Sequence, residues 1–206
     1  MDLNVDGNPG SGNTFQQYDI QSAGSVNPNA TTAITNVFGS AGGPTRMNAY
    51  FQKLLDEIKG NVTDKVIDEL LYYTTRLDGT KGMEEKLVDG GFKSSKIAEA
   101  KRRKELYAKK AMQYDCYPSA QHINLTLFSR IKNDFDTYIY PLIERGEELT
   151  LVMQQIHERI VTPIMTLLEN NGAFDLHLRY THDHIYGMIY YLTGMCHLNW
   201  KDYDNV

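Results

Sequence analysis

The chain has 206 residues, of which 41% are hydrophobic and 11% aromatic, which is enough for one substantial core and for one domain with an appendage. Its formal net charge of -5 argues against a whole-surface attraction to nucleic acid or to anionic membranes. Two cysteines, Cys116 and Cys196, are too few for a disulfide framework and favour a reducing compartment. With no basic and apolar leader and no run of about 20 apolar residues, the sequence predicts a cytoplasmic protein without a membrane span.

Residues 1–44 are rich in glycine, asparagine, serine and threonine and contain little that could form a core. Turn signals such as Asn27-Pro28-Asn29 interrupt them. Two interpretations stay open for this segment: a flexible, disordered tail, or an irregular β-forming segment that pairs with another chain.

The sequence pattern changes at Thr45, where apolar residues begin to recur with the 3.6-residue period of a helix. This pattern predicts a helix that Gly60-Asn61 interrupts. The same period continues from Val62 to Leu77 and stops at Asp78-Gly79, so a helical hairpin and one long kinked helix are both open. A short helix is then expected over 83–88.

The next predicted helix is long and basic. Ser94 or Ser95 is expected to cap it, and it is expected to reach Tyr117, because the residue before Pro118 is disfavoured in helical geometry. Gly90-Gly91 stands before this helix, where a left-handed turn would end the preceding short one.

Three more helices follow from the apolar spacing. The first covers about 123–135 and is expected to end before Pro141. The second covers about 149–168, and Pro163 inside it should produce a kink, because proline removes a backbone donor. The last is a short helix over 185–192.

Together these patterns predict a mainly α protein. We expect a single helical domain of five to seven helices over 45–206, preceded by the low-complexity, flexible or β-forming N-terminal segment 1–44. No strand ladder and no internal repeat is evident in the sequence.

The late histidines suggest a metal site, but their spacing is loose. A helix would place His182 and His184 on opposite faces, and the sequence contains no His-Glu-x-x-His and no paired Cys-x-x-Cys. A packing or capping role is favoured for them. Nucleophile-elbow and phosphate-loop motifs are also missing, so we expect no enzyme, no catalytic residue, no metal and no cofactor.

A cationic face is predicted on the long basic helix. Its members fall within one arc, with small and apolar residues opposite them. They are Lys96, Arg102, Arg103, Lys109 and Lys110. A merely solvated face and a site for an acidic protein partner are both open, and nucleic acid is less favoured because no aromatic residues interleave the patch.

The aromatic C-terminal end is the second candidate for binding a partner. Its members are Tyr186, Tyr190, Tyr191, His197 and Trp200. Most of this material suits a core, but two adjacent tyrosines should not both face inward from one helix, so part of the end is expected to meet another element or a partner. Gly187 suggests a close backbone approach, because glycine is costly inside a helix.

The segment 185–200, with the sequence IYGMIYYLTGMCHLNW, resembles the terminal signature of the C-terminal effector domain of bacterial ABC-three-component systems. The segments 68–73, 82–87 and 160–164 are similar to earlier helices of that domain. Together the similarity extends over about 45–200.

The resemblance implies a helical docking domain of an antiphage defence complex of the Lamassu type. Such a module would couple an effector to an SMC-like ABC ATPase and a middle component. Because only 44 residues precede the helical part, the catalytic half is expected to be missing or encoded separately. A homo-oligomer is also open, and no membrane partner is expected. The alternative function is a nucleic-acid-binding accessory protein that uses the basic helix 94–117.

Overall fold

The computed structural model describes residues 45–76 and 81–203, and these contain seven helices and no strand. The mainly α fold with five to seven helices is therefore confirmed, whereas the expectation for residues 1–44 lies outside the described residues. Helix α1 covers Arg46–Gly60. It begins where the Thr45 side chain accepts a hydrogen bond from the Asn48 amide, and it ends at Asn61, whose φ of 49° is left-handed.

The chain does not continue as a helix after α1. Residues 62–67 form neither helix nor strand, and the short helix α2 covers only Asp68–Thr74. A single kinked helix over this region was the wrong alternative. The Gln121 side chain holds this non-helical segment: its amide oxygen accepts from the Ile67 N–H at 2.9 Å, and its amide group donates to the Lys65 carbonyl at 3.2 Å. These backbone groups are satisfied by a side chain rather than by helical hydrogen bonds. Leu77 to Gly79 lie outside the described residues.

Helices α3 and α4 are close to their predicted positions. Helix α3 covers Met83–Asp89, and Gly91, with a φ of 80°, supplies the left-handed residue after it. Helix α4 covers Ser94–Met112 and has Lys93, not a serine, at its N-cap. The helix ends five residues before the predicted Tyr117, because the chain turns over 113–116 to reach Pro118.

Helix α5 continues through the proline that was expected to end it. Its first part, Pro118–Asp134, passes into a π turn, Phe135–Ile139, and then into a last part, Tyr140–Glu144. The Tyr140 N–H donates to the Phe135 carbonyl, five residues back. Pro141 has no N–H to donate, and the wider turn before it lets the helix accommodate this gap.

Helix α6 repeats the same device. It consists of Leu149–Ile156, a π turn at His157–Val161 and a final part, Thr162–Asn171. The Thr162 N–H donates to the His157 carbonyl, five residues back, directly before Pro163. The disturbance predicted at Pro163 is thus present as a π turn.

Helix α7, His182–Gly194, is the centre of the fold. It packs along α4 and also contacts α3, α5 and the π turn of α6. Ile185, Met188, Ile189 and Leu192 are completely buried. Because neighbours surround it on several sides, α7 is apolar around most of its circumference, as expected of a core helix. No helix within residues 45–76 and 81–203 is long and apolar enough to cross a bilayer.

Candidate interaction surface

The predicted basic residues of α4 do not share one environment. Lys96, Arg102 and Lys109 are exposed, whereas Arg103 and Lys110 are partly buried. Arg103 and Lys110 stand one heptad apart, beside the buried stripe of Ala100 and Tyr107 that faces α7, so helical geometry turns them toward the core edge. The expected single exposed cationic surface is divided into an outer and an inner set.

Arg103 belongs to an intramolecular network. Its guanidinium group forms ion pairs with Glu99 at 2.8 Å and with Asp183 at 2.9 Å. It also lies over the Tyr186 ring, 4.8 Å from the ring centroid. The hydrogen bond from Lys96, together with Arg103, keeps the pKa of Glu99 below its usual range. The arginine therefore joins α4 to the first turns of α7.

Lys110 and Lys96 also have partners within the chain. The ammonium group of Lys110 donates to the His177 carbonyl at 2.9 Å and lies 5.8 Å from the centroid of the Tyr114 ring. Lys96 pairs with Glu99 at 3.0 Å, on the solvent side. Arg102 and Lys109 are thus the members of the basic set that form no ion pair, hydrogen bond or ring contact with a described residue.

The C-terminal end is buried, as the sequence indicated. Trp200 is 4% exposed, and its indole N–H donates to the Thr193 hydroxyl at 3.0 Å. Edge-to-face contacts place its ring 4.8 Å from that of Phe92 and 5.6 Å from that of Phe135. Tyr190 is also buried, and burial raises its pKa to about 12, an effect that Arg103 opposes. These side chains stabilise the end of the chain.

Tyr191 meets another element of the same chain. Its ring stacks on that of Phe128 at 5.7 Å and contacts that of Tyr107 edge-to-face at 5.6 Å. Because α7 has helices on more than one side, adjacent tyrosines can both pack inside. Tyr186 is half-buried, and its hydroxyl lies 3.3 Å from Nδ1 of His157. Of the predicted aromatic set, Tyr186, Tyr191 and His197 are partly exposed, whereas Tyr190 and Trp200 are buried.

The histidines are dispersed. His184 forms a capping box with Thr181 at the start of α7, as expected of a capping residue. His197 packs against the rings of Tyr72 and Tyr73 at 4.9 and 5.3 Å. Burial lowers the pKa of both histidines. Within the part of the chain that the structure describes, no three His, Cys, Asp or Glu side chains are grouped as a metal ion would require.

An apolar cavity lies between α2, α4 and α5, and sequence reasoning did not predict it. Its volume is about 300 Å³. Its walls include Leu70 and Leu71 of α2, Ala108 and Met112 of α4, and the aromatic rings of Tyr107, Phe128 and Tyr191. Val66 and Leu71 follow a helical period in the sequence, which suggested burial. In the structure both side chains are exposed.

Exposed apolar side chains surround this cavity. Val66 is 39% exposed, Leu71 43%, Tyr72 63% and Met112 72%. We call these four residues the α2 surface. Leu71 lines the cavity and also a shallow depression on the other side of α2, which Tyr72 and His197 share. The α2 surface is therefore continuous across the short helix.

Comparison with known proteins supplies the family. The family model for C-terminal domain 9 of the ABC-three component (ABC-3C) systems matches residues 82–200, more than half of the chain. No curated protein and no solved structure gave a match. The matched range begins just before α3 and ends at Trp200, so it includes the basic helix and all of the buried aromatic end. The chain accordingly belongs to the family of C-terminal domain 9 of the ABC-3C systems.

Proposed function

We propose that this chain is a non-catalytic docking module that joins protein components of an ABC-3C defence complex. The observation that carries the proposal is the α2 surface: its four large apolar side chains are exposed, and three of them, Val66, Leu71 and Met112, line one apolar cavity. Contiguous exposed apolar patches are typical of sites that meet a protein partner, whereas single exposed apolar residues are ordinary. The partners proposed are the ABC ATPase, the middle component and a separately encoded effector.

The chain's architecture is suited to such a role. Buried aromatic contacts around Trp200 hold the C-terminal end, and the Arg103 network joins α4 to α7. An interface on these helices would therefore be preorganised, which reduces the entropic cost of binding. We propose cytoplasmic action, consistent with the absence of a membrane-spanning helix from the described ranges.

The basic helix is proposed as a secondary contact. Lys96, Arg102 and Lys109 are exposed on it and could meet an acidic protein surface. The alternative, binding of nucleic acid, is less favoured because Glu105 and Leu106 are exposed on the same outer side of α4. A patch that contacts phosphates is typically more uniformly cationic.

Co-expression tests this proposal. The tagged full chain is produced together with the ATPase and the middle component of the same system, and complexes are isolated at low and high salt. We expect at least one component to co-purify with the chain in stoichiometric amount. Retention of DNA or RNA with no protein component would favour the alternative function. A chain that retains neither would contradict the docking role.

A further inference from the structure

We propose that the cavity between α2, α4 and α5 receives one large apolar side chain of a protein partner, presented on a segment that also carries lysine or arginine. This inference rests on the docking function proposed above and specifies its site and the chemistry of the partner. It is argued from the size of the cavity, from one buried amide group in its wall and from the charges at its rim.

The size of the cavity suits an anchoring side chain. Its volume is about 300 Å³, and a cavity of roughly 150 Å³ is enough to hold a benzene-sized group. Exposed Met112 and Leu71 stand at its rim, so it can be reached from solvent. Methionine adapts its shape to a partner, and an apolar anchor in a pocket with a contact rim is the usual arrangement of binding hot spots.

Asn124 supplies a specific polar contact in the wall. The side chain is 4% exposed and lines the cavity. Its amide oxygen accepts from the Tyr180 hydroxyl at 2.8 Å and lies 3.5 Å from the Tyr107 hydroxyl. No described residue accepts a hydrogen bond from its amide nitrogen. Because Asn124 lines the cavity, this amide nitrogen can donate to a carbonyl group beside the anchoring side chain.

The rim of the cavity is acidic. Asp115 lines it, and Asp64 lies beside Asp115 because its backbone N–H donates to the Cys116 carbonyl at 2.9 Å. Within the described ranges neither carboxylate forms an ion pair. Lys65 is the cation on the same segment, so these three side chains together carry a net negative charge. Cationic residues flanking an apolar anchor would complement these charges.

The test uses the full chain and the purified ATPase and middle component, with affinity measured by titration. Ala108→Leu fills the cavity from the wall of α4, and Ala98→Leu adds the same side chain on the exposed outer side of the same helix as a control. We expect the first variant to weaken binding on the order of 30-fold, as loss of a hot spot does, and the control to bind as the wild type.

Charge is tested separately. Reversing Asp64 and Asp115 to lysine should weaken binding and reduce its dependence on salt between about 0.05 and 0.5 M, because screening acts on the rim charges. Glu169→Lys, at an exposed position of α6, is the control and should leave the affinity and its salt dependence unchanged. If Ala108→Leu does not fold, Met112→Lys at the exposed rim replaces it and should also weaken binding.

The outcomes separate the two levels of the proposal. If both Ala108→Leu and Met112→Lys bind as tightly as the wild type, the cavity assignment is wrong and the docking function is left intact. A wild type that binds neither component would overturn the docking function itself. If the wild type sediments as a dimer that Ala108→Leu dissociates, a second copy of the chain occupies the cavity, and the assignment to a basic partner is wrong.

Discussion

Gly187 of α7 lies directly against the backbone of Arg103 in α4. A Cβ atom at position 187 would overlap the Arg103 carbonyl oxygen and would stand 2.8 Å from Cβ of Tyr107. The close approach suggested by a glycine inside a helix is therefore confirmed. The most extensive helix–helix contact in the described part of the chain is that between α4 and α7. Gly187 lets these two helices approach each other with no side chain between their backbones at this point.

Gly187→Ala should destabilise the protein although alanine favours helices. The added methyl group must displace backbone atoms of α4, and such overpacking typically costs about 1–3 kcal/mol or more. Chemical denaturation measures the change. Gly172→Ala is the control, because its Cβ would meet only Asp175 at an ordinary 3.7 Å. Equal stability of both variants would contradict the close contact between α4 and α7.

Thr193→Val should destabilise the protein, because it removes the acceptor of the Trp200 hydrogen bond. The change leaves the indole N–H buried without an acceptor, which costs about 1–3 kcal/mol of unfolding free energy. Thr166→Val is a matched control, because the Thr166 hydroxyl also bonds the carbonyl four residues back but lies exposed. In a Trp200→Phe background the Thr193→Val cost should fall, and a double-mutant cycle detects this. Additive effects would rule out the coupling.

Arg103 and Arg102 should respond differently to substitution. Arg103→Ala removes two ion pairs and the stacking on Tyr186, so we expect a loss of about 1–2 kcal/mol. Arg102→Ala on the exposed side should change stability by less than about 0.5 kcal/mol. Thermal melting of both variants decides this. If the two melt alike, the inner network contributes nothing to stability.

Acid should destabilise the fold through His184 and His197. Burial lowers the pKa of each below the ordinary value of 6.5, so the folded chain resists protonation more than the unfolded chain does. Above about pH 6.5 both states are neutral and the effect vanishes; as pH falls below that value, the unfolded state binds more protons and stability is lost.

Denaturant midpoints measured at about pH 7.5 and pH 5.5 test this expectation. The wild type should unfold more easily at the lower pH. The double variant His184→Gln, His197→Phe should show a smaller difference between the two conditions, whatever its absolute stability. A difference as large as that of the wild type would assign the acid sensitivity to other groups.

Much of the fold followed from local pattern. The period of apolar residues identified α1, α4 and α7, because a helix that buries one side must repeat at 3.6 residues wherever it packs. Glycine and asparagine at the ends of α1 and α3 marked true left-handed residues, since their backbone requirement is local. Family resemblance in 185–200 was likewise present in the residues themselves.

Tertiary structure decided what local pattern could not. Pro141 ends a helix on local grounds, yet α5 continues through a π turn because burial of Phe135 and Ile139 rewards the continued packing. Arg103 and Lys110 belong to the basic arc by spacing, but the position of α7 turns them into internal partners. Val66 and Leu71 have a core-like period and are exposed: Gln121 holds the non-helical segment that carries Val66, and Leu71 follows on the short helix α2. Which apolar side chains remain exposed and available to a partner depends on how the helices pack against one another. The apolar period of a single helix does not determine this packing.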